Sequence, residues 1–289
     1  SKQSIDKGQN EYRGSSVYKT NLCKLLVKNN IETSVLIAND QTLHKEFVSL
    51  GINSYPISIS SSISPKEKLN LLFLKMLEIC RKEKISIIHC HFSIEVNAAK
   101  KVASLLPVKI IKTLHLDNLH KSKNLKNLDG VIGVNPKITH LVINANTNDN
   151  LNIKHIDFIP PFFNETRFTN VAPSLNKNEF FKTYFNTNIL DFPIVCSVAN
   201  FLPSFKNHTV LIRAAHHLIF KQNIPIQLVL AGDGPRKKEM IQLAHDLKIE
   251  KYVHFLGLTD KIPEILYYSD IKALTSNQEA FPIVLLEAA

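Results

Sequence analysis

Short apolar runs alternate along this chain with longer amphipathic stretches, and this alternation constrains its fold more than any other feature. Residues 85–90 and 226–231 are mostly apolar runs, as expected for strands that are buried on both faces. Pro65 opens a longer stretch, reaching residue 84, in which apolar side chains recur at helical spacing. Strands that alternate with helices usually pair in parallel, so the sequence predicts an α/β fold built on parallel sheets.

The 289 residues are enough for two α/β domains, and the 44% hydrophobic content is ordinary for a globular protein. We place an N-terminal domain at residues 1–165, a linker at 166–191 and a C-terminal domain at 192–289. The four cysteines form no close pairs, which favours a reducing compartment. No apolar stretch is long enough to span a bilayer and no signal peptide is visible, so we expect a cytoplasmic location.

The chain is basic, with a formal net charge of +10. Such a surplus suits nucleic acid, an anionic membrane surface or phosphorylated substrates. The lysines are spread along the whole sequence, so charge alone does not choose between these partners. Neither a recognition-helix pattern nor an aromatic-basic repeat is present, and we therefore expect no nucleic-acid partner.

Two carboxylates stand eight positions apart near the end of the chain, Glu279 before an apolar run and Glu287 within it. Pro282 fits the first turn of a helix, where its missing N–H costs nothing. The free amides of such a helix start, at Ile283 and beyond, favour an anion near Glu279. A phosphate held there would leave one carboxylate near each side of a ligand, which suits a nucleotide-sugar. The alternative is a solvated helix face, since glutamates at this spacing are common on helices.

Glu279, Phe281, Pro282 and Glu287 match in place the paired-glutamate signature of family-4 retaining glycosyltransferases. The sequence resembles that family from roughly residue 14 to residue 289. The resemblance implies the GT-B architecture, in which two Rossmann-like parallel-sheet domains face each other across a cleft. The first strand of that architecture has no counterpart here, and Gly14 and the two serines after it read as the remainder of the turn that follows the strand. With the second domain also shorter than in the family, we expect the sequence to be incomplete at both ends.

The resemblance also implies contacts to the nucleotide-sugar donor. Lys206 matches a lysine directed at the donor pyrophosphate, and Asn200 replaces an arginine directed at the same group. Asparagine still donates hydrogen bonds but brings no charge, so we expect affinity to depend more on Lys206 and on helix-start amides. A solvent-exposed lysine is the alternative for Lys206. The other donor-binding positions that the family implies are Gly232, Gly234, Gly257, Leu258, Phe281, Pro282, Ile283 and Glu287.

Histidines follow two of the predicted strands in the first half of the chain. His115 comes after the strand at residues 108–113, and open α/β sheets bind ligands at strand ends. In the family a histidine here faces the donor sugar, which makes His115 a candidate catalytic residue; a surface histidine is the alternative. His89 and His91 flank Cys90, but no third ligand is near in sequence, so we expect no metal. The resemblance implies that His91 lines the interdomain cleft or supports it.

The resemblance implies a hexosyltransferase that needs no metal or other cofactor and retains the configuration of the transferred sugar. Glu279 would hold the donor sugar hydroxyls as a catalytic residue, and Glu287 the ribose hydroxyls. The expected donor is a UDP-sugar, by the family's commonest usage. The expected acceptor is a glycan or a lipid-linked molecule in cell-envelope polysaccharide synthesis, with the protein peripheral on an anionic membrane surface. The alternative is a non-catalytic GT-B descendant that binds a nucleotide-sugar or a partner enzyme.

Overall fold

The computed structural model describes residues 14–116, 122–163, 165–202 and 205–289, without side-chain detail at 14–17 and 122–123. The chain divides into two compact units, the first ending at Phe162 and the second beginning at Phe163. Each unit contains parallel strands separated by helices, as predicted. Within the described part of the chain, no helix combines the length and apolar character needed to cross a membrane.

The first unit is built on two parallel sheets. Its helices are α1 (Gly14–Lys28), α2 (Gln41–Ser49), α3 (Pro65–Lys82), α4 (Ser93–Ala103) and α5 (Pro136–Asn148). Its strands are β1 (Ser34–Ala38), β2 (Asn53–Ile57), β3 (Ile87–Cys90), β4 (Lys109–Leu114), β5 (Gly130–Gly133) and β6 (His155–Phe158). Strands β1 and β2 pair with each other, and the larger sheet has the order β3-β4-β5-β6.

The start of the first unit differs from the sequence prediction. Gly14 and the two serines after it form the first turn of α1, so the expectation that they are a remnant of a glycine-rich loop is wrong. Glycine and serine are well tolerated at helix starts, which fits their place in the first turn of α1. Residues 1–13, which precede α1, lie outside the described residues, and the expectation about the first GT-B strand falls on them.

The second unit has one four-stranded parallel sheet in the order β10-β7-β8-β9. Its strands are β7 (Ile194–Val198), β8 (Gln227–Ala231), β9 (Val253–Gly257) and β10 (Ile271–Lys272). Its helices are α6 (Lys177–Phe185), α7 (His208–Lys221), α8 (Lys237–Asp246), α9 (Ile262–Tyr267) and α10 (Ile283–Leu286). Every residue of β8 is buried, which explains its continuous apolar sequence.

Two apolar clusters cover the two faces of this sheet. On one face, Val195 of β7 and Leu228 of β8 pack with side chains of α7 and α8. On the other face, Cys196 of β7 packs with Phe180 and Phe181 of α6 and with side chains of α9. Helix α6 lies within the segment 166–191 that the sequence analysis interpreted as a linker, and the structure places this part of it in the core of the second unit.

Asparagine performs much of the turn-forming role of glycine in this chain, which has only eight glycines. Among the described residues, nine asparagines adopt positive φ. Asparagine tolerates the left-handed region because its short amide can hydrogen-bond to nearby backbone. Asn186 ends α6 in this conformation, with φ 49°, and Asn207 precedes α7 with φ 46°.

Candidate functional site

The site residues predicted in the second unit gather at the carboxyl edge of its sheet. Asn200 lies two residues beyond the end of β7, Gly232 directly follows β8, and Gly257 is the last residue of β9. Glu279 lies in the segment that leaves β10. Because parallel strands end at the same edge of a sheet, four separate parts of the sequence meet there, and such edges are where open α/β sheets bind ligands.

Lys206 and Glu279 form an ion pair at this edge. Their side chains are 25% and 22% exposed, so the pair is largely shielded from water. Backbone contacts hold the two segments together: the amide of Asn277 donates to the carbonyl of Phe205 over 2.8 Å, and the Thr275 hydroxyl donates to the carbonyl of Asn207 over 3.1 Å. The structure therefore places the predicted pyrophosphate-binding lysine in direct contact with the predicted sugar-binding carboxylate.

Glu287 lies at the end of α10, where its amide donates to the carbonyl of Ile283 over 3.0 Å. The expected helix from Pro282 is present only as a single turn, with Pro282 as the residue before it. Burial raises the pKa of Glu287, and the charges of Arg167 and Lys272 oppose that rise. Glu287 is therefore a partly desolvated carboxyl group beside two cations.

The glycines of the turn after β8 make room for the chain's own backbone. Gly232 and Gly234 have φ of 145° and 150°, a backbone conformation that residues with a side chain rarely adopt. A Cβ at Gly232 would overlap the carbonyl oxygen of Ala199, and one at Gly234 would lie 2.7 Å from that of Phe201. The family resemblance implies that both glycines bind the donor; in the structure the segment after β7 occupies that side of the turn.

The end of β9 joins the same arrangement. The Gly257 carbonyl accepts a hydrogen bond from the Gly232 amide over 2.8 Å, and Gly257 itself has φ 78°. Leu258, the next residue, is 37% exposed, which leaves its side chain accessible beside the edge of the sheet. Asn200 is half-buried, and its carbonyl accepts from the amide of Leu202 over 2.8 Å.

His208, the first residue of α7, is buried against the ring of Phe201, with the two ring centroids 4.2 Å apart. Burial lowers the pKa of His208 to about 4; a hydrogen bond to the Ala199 carbonyl opposes the shift, and the charges of Arg236, Lys206 and Lys272 add to it. The imidazole is therefore neutral at pH 7. Arg236, Lys206 and Lys272 therefore all act electrostatically on His208.

Two polar atoms that the sequence analysis did not single out lie in the same region. Lys272 Nζ and Ser276 Oγ are buried and have no hydrogen-bond partner within the described ranges. Burial lowers the pKa of Lys272 to about 8. The sequence does contain a signal for Lys272, because it is a lysine between the apolar residues Ile271 and Ala273.

In the first unit His89, His91 and His115 form a stack, here called the histidine stack, at the ends of β3 and β4. Ring centroids are 4.8 Å apart for His89 and His91 and 5.2 Å apart for His91 and His115. His91 Nδ1 and His115 Nε2 share a hydrogen bond of 3.0 Å, and the Tyr18 ring meets His115 edge-on at 5.1 Å. Burial lowers the pKa of His89 and His115 to about 4 and that of His91 to about 2.

The histidine stack is thus a neutral, partly buried group. Among the side chains that the structure describes, no cluster of three histidine, cysteine, aspartate or glutamate residues is arranged to hold a metal ion.

A cavity of about 210 Å³ elsewhere on the first unit's sheet, lined by Ile87, Lys109 and Asp129 among others, contains none of the predicted site residues. His115 belongs to the first unit, and Lys206 and Glu279 belong to the second.

Models of known families match both halves of the chain. Residues 12–146 match the family model described as glycosyl transferase 4-like, and residues 180–289 match glycosyl transferases group 1. The fold is that of the GT-B glycosyltransferases. One solved structure of this kind, Anabaena HepE in complex with UDP-glucose, superposes with a TM-score of 0.72 at 18% identity, covering 97% of this chain and 76% of that one.

Two curated proteins match most of the chain. N-acetyl-alpha-D-glucosaminyl L-malate synthase of Bacillus anthracis is 28% identical over 231 residues, which is 74% of this chain. The UDP-Gal:alpha-D-GlcNAc-diphosphoundecaprenol alpha-1,3-galactosyltransferase of Escherichia coli is 25% identical over 227 residues, again 74% of this chain. The chain spans 56% and 58% of the lengths of these two relatives.

Proposed function

We propose that the protein transfers a hexose from a nucleotide-sugar donor, a UDP-sugar, to a glycan or lipid-linked acceptor, with retention of configuration. The observation that carries this proposal is the Lys206–Glu279 ion pair at the carboxyl edge of the second unit's sheet. A phosphate-binding cation and a hydroxyl-binding carboxylate in contact are the two groups that the junction between a sugar and its diphosphate requires.

The similar proteins support the choice of substrates. Anabaena HepE is described in complex with UDP-glucose, and the Escherichia coli relative is named for UDP-Gal and a diphosphoundecaprenol-linked acceptor. The Bacillus anthracis relative is named for L-malate, a small hydroxy acid, so acceptors of different sizes occur among the relatives. For this chain we propose the lipid-linked or glycan acceptor because its +10 charge suits an anionic membrane surface.

In the proposed reaction the donor diphosphate takes over Lys206 and leaves Glu279 to accept hydrogen bonds from the sugar hydroxyls. Glu287 accepts from the ribose hydroxyls. The bond between the anomeric carbon and the diphosphate oxygen breaks, and Lys206 stabilises the negative charge that develops on the departing diphosphate. The acceptor hydroxyl oxygen bonds to the same carbon, and its proton passes to a diphosphate oxygen, so that a free nucleoside diphosphate and a glycoside result.

Retention is proposed to arise because the diphosphate departs from, and the acceptor hydroxyl attacks, the same face of the sugar. A double displacement would need a carboxylate poised as a nucleophile across from an acid partner, at about 5 Å. We assign Glu279 to the sugar hydroxyl groups instead, the role that the family resemblance implies. His115, held neutral in the histidine stack, is proposed to contact the donor sugar, a role that rests on the resemblance.

A second candidate function is a non-catalytic GT-B protein that binds nucleotide-sugar without turning it over. The observation that favours it is Asn200, which stands in the loop after β7 without the positive charge that the family places there. Binding could survive this loss if another cation replaced it, whereas turnover depends on full stabilisation of the leaving diphosphate.

The test is a donor panel applied to the full-length protein. We expect UDP to raise the unfolding temperature and GDP and ADP to have a smaller effect, since a ligand present at 100 times its Kd adds about 2.7 kcal/mol to stability. Release of UDP from UDP-sugars then separates the two candidates. Binding with turnover supports the transferase, binding without turnover supports the non-catalytic protein, and absence of binding to all three nucleotides contradicts both.

A further inference from the structure

The segment that carries Glu279 also carries two buried polar atoms without partners. Within the described part of the chain, Lys272 Nζ and Ser276 Oγ are shielded from solvent and make no hydrogen bond. Buried polar groups are nearly always satisfied in folded proteins, so each such group calls for an explanation. Both atoms are on one short stretch of chain, which points to one ligand as the explanation for both.

Lys272 is an unusual residue for its position. It lies on β10 in register with Cys196 of β7, and residues in register on adjacent parallel strands share a face. Cys196 faces the apolar cluster that contains Phe180 and Phe181 of α6. An unpaired ammonium group next to such surroundings is costly, whereas an apolar side chain there would cost nothing. Nothing in the packing of this unit therefore requires a lysine at position 272.

The groups around Lys272 identify the kind of ligand. Its pKa is lowered by burial and by the charge of Lys206, and raised by Cys196 and by Glu287. The lysine is thus within electrostatic range of Glu287, yet no ion pair joins the two among the described residues. Lys206 and Lys272 both act on His208 as well. The charge of Lys206 disfavours the charge of Lys272, and an anion bound by both lysines would relieve that repulsion.

We propose that Lys272 and Ser276 bind the diphosphate of the nucleotide-sugar donor, Lys272 as a second cation beside Lys206 and Ser276 through its hydroxyl. This inference rests on the proposed function and adds residues that neither the sequence signature nor the family resemblance supplied. Lys272 supplies from β10 the positive charge that is missing at Asn200 after β7. A diphosphate carries enough oxygens to satisfy both lysines and the serine hydroxyl at once.

A purely structural lysine would behave differently. A buried charge kept for stability is paired, and replacing it without its partner strongly destabilises the fold. Lys272 has no such partner, so exchanging it for methionine, which has a similar length and no charge, should leave the unfolding temperature without ligand unchanged or raise it. Stability and ligand affinity therefore move in different directions under this proposal.

The experiment titrates UDP, UMP and uridine into the full-length protein and into Lys272→Met, with binding followed by calorimetry. We expect Lys272→Met to weaken UDP binding at least tenfold, about 1.4 kcal/mol, to weaken UMP binding less, and to leave uridine binding within twofold. The control is Lys221→Met, at the exposed last position of α7, which removes the same charge outside the site. It should leave the affinities for UDP, UMP and uridine unchanged. Inorganic pyrophosphate should compete with UDP in the wild type and compete more weakly in Lys272→Met.

Two further variants keep the proposal testable if Lys272→Met folds poorly. Ser276→Ala should weaken UDP binding a few-fold without weakening uridine binding. Adding Asn200→Arg to Lys272→Met should restore part of the UDP affinity, because it returns a cation to the same edge of the sheet.

The outcomes separate this inference from the proposed function. A wild-type protein that binds none of UDP, GDP and ADP contradicts the proposed function itself. A wild type that binds UDP, together with Lys272→Met and Ser276→Ala variants that bind it equally well, leaves the proposed function standing and overturns the role of these residues. An equal loss of affinity for UDP, UMP and uridine in Lys272→Met, together with a lowered unfolding temperature, also overturns the proposed role. A lysine with a purely structural role would give that result.

Discussion

Lys206 and Glu279 neutralise each other in this structure, although each is expected to bind a different part of the donor. Under the proposed function, the donor diphosphate displaces the Glu279 carboxylate from Lys206 when it binds. We therefore predict that Glu279→Gln binds UDP, which has no sugar, more tightly than the wild type. The gain should be about two- to fivefold, since partly exposed ion pairs are worth up to about 1 kcal/mol.

Calorimetric titration with UDP checks this prediction, and the gain should shrink at high salt because the competing pair is screened. Glu250→Gln, an exposed position next to β9, serves as the control for the loss of one negative charge. Weaker UDP binding by Glu279→Gln than by this control would show that the two side chains do not compete.

The histidine stack should make the first unit sensitive to acid. Burial lowers the pKa of His89 and His115 to about 4 and that of His91 to about 2, whereas an unfolded histidine titrates near 6.5. The unfolded chain thus binds more protons below pH 6.5, so stability is present above that pH and is lost as the pH falls toward 4. Each histidine contributes a slope of up to about 1.4 kcal/mol per pH unit.

Thermal unfolding between pH 7 and pH 5 tests whether stability falls with pH, as predicted. The unfolding temperature should fall across the interval, and His91→Gln, whatever its effect at pH 7, should show a shallower fall. His140→Gln, at an exposed position of α5 in the same unit, should keep the wild-type slope. A wild-type slope in His91→Gln would mean that other groups cause the acid sensitivity.

Gly232 should be the least replaceable of the glycines near the site. A Cβ there would overlap the Ala199 carbonyl oxygen, and the residue also has φ 145°. Gly257→Ala is a matched control, since φ is 78° but the new Cβ would meet only Lys237 Nζ, at 3.6 Å. We predict a loss of about 1 kcal/mol for Gly257→Ala, the cost of the left-handed conformation, and a clearly larger loss for Gly232→Ala. Denaturant unfolding measures both, and equal losses would contradict the backbone overlap.

The basic surface should matter for membrane attachment. With a net charge of +10, we predict that the protein partitions to vesicles with anionic lipid and much less to neutral vesicles at low salt. Each lysine near an anionic surface can add about 1 kcal/mol, and the effect should fade as salt is raised. Co-sedimentation at two salt concentrations measures this. Equal partitioning to the two kinds of vesicle would rule out electrostatic attachment.

The sequence was informative about the fold because strands such as β8 are buried on both faces and therefore read as unbroken apolar runs. The family resemblance singled out Lys206 and Glu279, which are 73 residues apart, as parts of one donor site. Parallel topology brings strand ends together, which explains how residues so far apart in sequence come into contact. Which atoms would touch could not be derived, because that depends on the loops at 205–207 and 275–279.

Other features depend on packing that a linear pattern does not contain. The sequence shows a lysine at position 272, but only the three-dimensional neighbours show that its ammonium is buried and unpaired. The sequence does not show that the Ala199 carbonyl lies beside Gly232 and occupies the space that a ligand could otherwise approach. Likewise, α6 resembled a linker by composition, although Phe180 and Phe181 fill the core of the second unit.

The most direct test of the proposed transferase is the turnover of a UDP-sugar by the full-length protein, by Glu279→Gln and by Glu287→Gln. Contacts to the reacting sugar strengthen in the transition state, whereas contacts to ribose do not. We predict that Glu279→Gln lowers kcat at least tenfold, about 1.4 kcal/mol, in single-turnover as well as steady-state measurements. Glu287→Gln should mainly raise the donor KM. If both variants fold and keep wild-type kcat and KM, the assignment of these carboxylates to the donor is contradicted.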